Sequence, residues 1–326
     1  MSATRITPPS VLLSLAAAAV LYALLSPPGP TMPVALVGTL ALTGAVWRLL
    51  RTLNVPHAAR WAAVTLALPA TALNAGLLGQ SDAIWAAPCL LALDAAIRRR
   101  HGTMLLWCGI GFAIGTQPLM LAPFVMAVLI NRRASLAVWL LAAATVLTLL
   151  LGWPLHDLAV AGRQPSASAG DVWWLAGAVL PLERAQLVGL AIVSTVGASA
   201  WYVARFSAQL PTAPVRLLPI ALLGDLLTAG LSPYRLDGCL LFAGLVAVVW
   251  AIAAQERRAW QVAVLIQAGS VLTLGGDLSG QGTLGAVGFA ALALATWRMV
   301  QPIVQPAAND NAPIPGAWRR GPLPAM

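Results

Sequence analysis

Asp82 stands in the stretch GLLGQSDAIW (76–85), where Gln80, Ser81 and Asp82 interrupt two long apolar runs. A carboxylate at such a turn either caps the helix that follows, at about 1 kcal/mol, or faces a ligand and takes a proton from it. GTQPLMLAP (115–123) is a second polar island, in which Gln117 offers its amide to freed backbone groups or to a ligand. In GDLLTAGLSPYRLDG (224–238), Asp225 falls inside an apolar run. An acid at the centre of a membrane helix costs about 2.5–3.5 kcal/mol and is expected to face the bundle interior or a cavity. Arg235 and Asp237 follow it. A guanidinium there suits bidentate phosphate binding or pairs with Asp237 as a weak surface ion pair. Trp173 and Trp174 in GDVWWLAG (170–177) form an interfacial belt or stack on a sugar or lipid headgroup.

The elements that must position these residues are set by composition. Mean hydropathy is +0.83 and 9% of the 326 residues are charged, against about 25% in soluble domains. The apolar runs approach the roughly 20 residues a helix needs to cross a bilayer, and barrel-like alternation is absent. The sequence therefore predicts an all-α polytopic transmembrane bundle. Spans are expected at about 11–26, 33–50, 61–78, 83–97, 135–152, 186–204, 216–230, 238–254, 260–275 and 283–299.

RRRHG (98–102) and NRR (131–133) both favour the cytoplasmic side, and a single crossing of 104–130 would separate them. Because Pro118 cannot continue a helix without losing a hydrogen bond, two short helices are expected, 104–115 and 119–130, as a tilted or re-entrant pair. With the N-terminus inside, 16 of the 19 arginines are cytoplasmic and both termini are inside. Asp82, Asp157, Asp171, Glu183, Asp237 and Asp277 then fall in outer turns, and the longest outer loop is 153–185. Asp94 is inside, where it can pair with Arg98 four residues on. Residues 1–300 read as one transmembrane domain, uncleaved at the first span, and 301–326 as a disordered cytoplasmic tail.

The +9 net charge does not point to nucleic acid, since it comes from arginines at helix ends and the chain has no lysine. Cys89, Cys108 and Cys239 lie in or beside apolar runs without paired spacing, which disfavours a disulfide or zinc site. P-loop, G-x-G-x-x-G, H-E-x-x-H and G-x-S-x-G motifs are absent. With no soluble domain to hold a nucleotide sugar, any sugar donor has to come from within the membrane.

GQSDAIWAAPCLLALDAAIRRRHGTMLLWCGIGFAIGTQPLMLAP (79–123) resembles the core block of the GT-C glycosyltransferases, close to the family 87 mannosyltransferase-like proteins. DVWWLAG is similar to the family's outer-loop tryptophan element, and LSPYRLDGCLL to its late S-P-Y…D motif. The likeness spans roughly residues 35–255. It implies a bacterial inner-membrane enzyme that takes a sugar from a polyprenyl-phosphate donor on the non-cytoplasmic face and inverts at the anomeric carbon. A first-loop carboxylate would be the base, sometimes with a divalent metal ion nearby. The first outer loop here, PPGPTM, holds no acid, as though the N-terminus were shortened, and Gln117 or Thr116 stands where the family usually has Lys. The resemblance then implies Asp82, or next Asp237, as the base. Gln80, Gln117, Asp225, Tyr234, Arg235, Trp173 and Trp174 become substrate-binding residues. A catalytically inactive relative, serving as a structural subunit of a membrane protein complex, is the alternative, with membrane lipids as partners in either case.

Overall fold

The computed structural model describes residues 32–71, 82–147, 172–179, 183–232 and 239–304. These fold as helices joined by short turns, with no strand among the described residues. The helices are α1 (Met32–Thr52), α2 (Ala58–Leu66), α3 (Asp82–Ile97), α4 (His101–Ile114), α5 (Ala122–Asn131), α6 (Leu136–Leu147), α7 (Val172–Val179), α8 (Arg184–Ala208), α9 (Pro214–Leu231), α10 (Cys239–Ala254), α11 (Arg257–Ser279) and α12 (Gly282–Val304).

Ala185–Ala208, Pro214–Leu231, Arg257–Gly276 and Gly282–Gln301 are long and apolar enough to cross a membrane, which supports a helical membrane protein. Of the other elements, α1 has 21 residues, α3 and α10 have 16, α4 has 14 and α5 has 10.

Several sequence expectations need correction. The span expected at 61–78 is broken: α2 ends at Leu66, and Pro69, which cannot donate to the preceding turn, starts a separate short helical turn at Pro69–Thr71. Between the two short helices at 104–130, Gln117–Leu121 winds as a 3-10 turn that leads into α5. The loop 153–185 contains α7, and α12 runs on to Val304, past the expected start of the tail. The first expected span, 11–26, lies outside the described residues.

Contacts fix how the helices run. A Cβ at Gly38 would meet Ile84, and Arg48 bonds Asp94, so α1 and α3 are parallel neighbours. Trp85 meets Phe242 at 6.4 Å, which sets α10 parallel to α3. Asn131 donates to the Ser207 carbonyl at 2.9 Å, joining the C-terminal ends of α5 and α8, and α9 returns antiparallel to α8 through Tyr202 Oη donating to the Ile220 carbonyl at 2.6 Å. The closest pair is α11–α12, where a Cβ at Gly288 would lie 2.7 Å from Thr273 N and 2.8 Å from the Gly269 carbonyl.

This arrangement gathers Arg48, Arg51, Arg60, Arg98, Arg99, Arg100, Arg132, Arg133, Arg205, Arg216, Arg257, Arg258 and Arg298 at one end; among the described arginines only Arg184 begins a helix at the other. The turns at the arginine end have a common build. Val55 N bonds the Leu50 carbonyl, Arg100 N the Ala95 carbonyl and Ala134 N the Leu129 carbonyl, at 3.0, 2.9 and 3.0 Å. Each is the long bond of a Schellman motif, with Asn54, Arg99 or Arg133 at positive φ. Glycine would adopt that conformation at less cost, but an arginine there brings its charge to the negative end of the helix. Burial lowers the Arg132 pKa, and the charge of Arg99 lowers it further.

Candidate functional site

At the end away from the arginines, the α4 chain stops at Ile114 and the 3-10 turn Gln117–Leu121 enters the bundle, touching α3, α4, α5 and α9. Its second residue, Pro118, needs no backbone donor in the first turn. It fits against α4 because position 111 is glycine: a Cβ there would be 3.0 Å from Pro118 Cγ and 3.7 Å from Cys89 Sγ. Thr228 Oγ1, on the last turn of α9, donates to the Met120 carbonyl at 3.1 Å and ties the turn in place. The last turn of α9 therefore borders the break.

Gln117 is half-buried, and its side chain folds back over Gly115. Its Oε1 is buried with no hydrogen-bond partner. Buried polar atoms are nearly always paired, so an orphan acceptor points to a donor that the chain does not itself supply.

Asp82 begins α3 and is 9% exposed. Its Oδ1 accepts from Trp85 Nε1 at 3.1 Å, and Trp85 also packs against Phe242. The helix starts at Asp82 itself, placing the carboxylate in the first turn, where the helix dipole favours an anion. Asp225 lies six residues inside the end of α9, about 9 Å deeper at 1.5 Å per residue. It is 2% exposed, and its Oδ2 has no partner. Cys89 and Cys108 are buried free thiols on α3 and α4.

Trp173 Nε1 donates to the Leu231 carbonyl at 3.0 Å, and Thr195 Oγ1 donates to the same carbonyl at 2.7 Å, so Trp173 is held at the exit of α9. Trp174 follows in α7. Glu183 proves to be the N-cap of α8 in a capping box with Gln186.

The structure thus brings Asp82, Gln117, Asp225 and Trp173 to one half of the bundle. Gln80, Tyr234, Arg235 and Asp237 lie outside the described residues. Sequence reasoning missed Thr228, Trp85 and the Leu231 carbonyl. The position of Thr228, three residues after Asp225, was the one available signal.

Among the described residues, no three His, Cys, Asp or Glu side chains converge to hold a metal ion. No protein-family model matches the chain, and no curated protein matches it.

Proposed function

We propose that the chain is a membrane glycosyltransferase of GT-C type. It receives a polyprenyl-phosphate sugar at the end of the bundle that holds Asp82 and Gln117. The carrying observation is the buried, unpartnered Oε1 of Gln117 at a break wedged among four helices, the kind of acceptor that a sugar hydroxyl satisfies. Asp82 takes the proton of the acceptor hydroxyl as its oxygen attacks the anomeric carbon, and the polyprenyl phosphate leaves with the bonding pair. Trp173 borders the sugar, and Arg235 holds the departing phosphate. About ten spans, including the first at 11–26 and the short pair, complete the bundle in a bacterial inner membrane, with the arginine end and both termini cytoplasmic.

A second reading is favoured by one observation. Asp82 is nearly buried and bonded to Trp85, while α8 presents Leu190, Val193, Val196 and Trp201 outward. A catalytically inactive relative would use such a face against another membrane protein.

Purified protein in proteoliposomes with labelled polyprenyl-phosphate mannose, and a panel of other polyprenyl-phosphate sugars, tests the proposal. Transfer in wild type, with a raised donor KM in Gln117→Leu, supports it. Folded protein that binds no donor and co-purifies in fixed proportion with another membrane protein sinks it in favour of the subunit.

A further inference from the structure

Asp94, fully buried on α3, is held by two arginines through the side of each guanidinium rather than its fork. Arg48 Nε donates to Oδ2 at 2.9 Å, and Arg98 Nε donates to Oδ1 at 3.1 Å. Thr52 Oγ1 also donates to Asp94, and Arg98 Nη2 bonds Thr52. Arg48 Nη1 and Nη2 have no protein partner among the described residues, and the Arg48 side chain is 42% exposed. The paired Nη groups are the edge that grips a phosphate in bidentate fashion.

One turn along α1, Arg51 lies over the Trp47 ring at 5.2 Å, with no acid in ion-pair distance among the described residues. Trp47 Nε1 is buried without an acceptor. Two guanidiniums, Arg48 and Arg98, face the Asp94 carboxylate, which holds them in place before any ligand arrives, and Arg51 beside them on α1 brings the excess to two positive charges.

We propose that Arg48, Arg51 and Arg98 form a binding site for the phosphodiester headgroup of an anionic phospholipid. The lipid source is favoured over free phosphate because the site closes the end of an apolar helix with Val37 turned outward, and the Trp47 ring belongs at a membrane interface. The inference rests on the membrane character of the chain and is independent of the transferase proposal.

The test measures binding to the full chain in neutral detergent by native mass spectrometry and thermal shift, with phosphatidylglycerol, phosphatidylcholine or inorganic phosphate added. Phosphatidylglycerol is expected to bind and stabilise, and the other two are not. Arg51→Gln leaves the Asp94 ion pairs intact and should weaken phosphatidylglycerol binding about fivefold, the usual effect of one arginine at an anionic surface. Arg205→Gln on α8, whose guanidinium faces Gln209 just past the helix end, should leave binding unchanged. Equal losses in Arg51→Gln and Arg205→Gln would reduce the effect to general charge and overturn the site. So would equal binding of the two lipids, or stabilisation by inorganic phosphate alone.

Discussion

Arg48 Nε donates to Asp94 Oδ2 at 2.9 Å across 46 residues of chain, and the acceptor is wholly buried while the donor is half in solvent. That asymmetry decides how the network responds to mutation. Either arginine alone leaves Asp94 with the other and with Thr52. Arg48→Gln or Arg98→Gln should therefore cost about 1.5–3 kcal/mol, the scale of one charged hydrogen bond. Removing both leaves a buried carboxylate without a counter-charge and should cost about 3–5 kcal/mol or more. Thermal unfolding in detergent checks this, and single and double variants of equal stability would contradict it.

The α11–α12 hairpin and α1 respond oppositely to the same chemical change. A Cβ at Gly288 would push into the backbone of Thr273 and Gly269, so Gly288→Ala must part the helices, at about 1–3 kcal/mol. Gly44 lies in mid-α1 with nothing within 4 Å of a new Cβ. Gly44→Ala should stabilise by about 0.5–1 kcal/mol through reduced backbone entropy. Melting temperatures moving in the same direction for both variants would refute the close approach.

Helices α8 to α12 were legible within a few residues, because long apolar runs bounded by arginines and prolines leave little choice in lipid. The Pro118 break was legible for the same reason. Local pairing was also readable, as with Asp94 and Arg98 one turn apart. Arg48 and Thr52 as partners of Asp94 were not, since nothing local brings α1 beside α3. The break before Pro69 was missed because the apolar composition of 61–78 continues through it. The role of Asp82 was half legible: its place at a helix start could be read, but its bond to Trp85 depends on the rotamers of two side chains.

Asp225 has a buried oxygen without a partner, so its replacement removes a desolvation cost of about 1–3 kcal/mol. Asp225→Leu should melt at the same temperature as wild type or higher. If Asp225 serves the sugar site, the same variant raises the donor KM, and Asp225→Asn, which keeps a polar group, raises it less. A folded Asp225→Leu protein with wild-type KM would remove Asp225 from the site and leave it an isolated interior acid.

Asp82 offers the sharpest separation of chemistry from packing. Its Oδ1 accepts the Trp85 indole N–H, and an asparagine carbonyl oxygen can accept the same bond at the same place. Asp82→Asn should therefore keep α3, the Trp85–Phe242 contact and the melting temperature. It loses the ability to take a proton, and a general base is worth about 10²–10⁴ in rate. Sugar transfer from a polyprenyl-phosphate donor should fall by that factor, with donor binding nearly intact. Asp82→Ala, by contrast, leaves the buried indole donor unpaired and should lower stability as well, by about 1–3 kcal/mol. Unchanged transfer in a folded Asp82→Asn protein would assign the base to another carboxylate, with Asp237 next in line, and would leave Asp82 as the residue that anchors Trp85 at the start of α3.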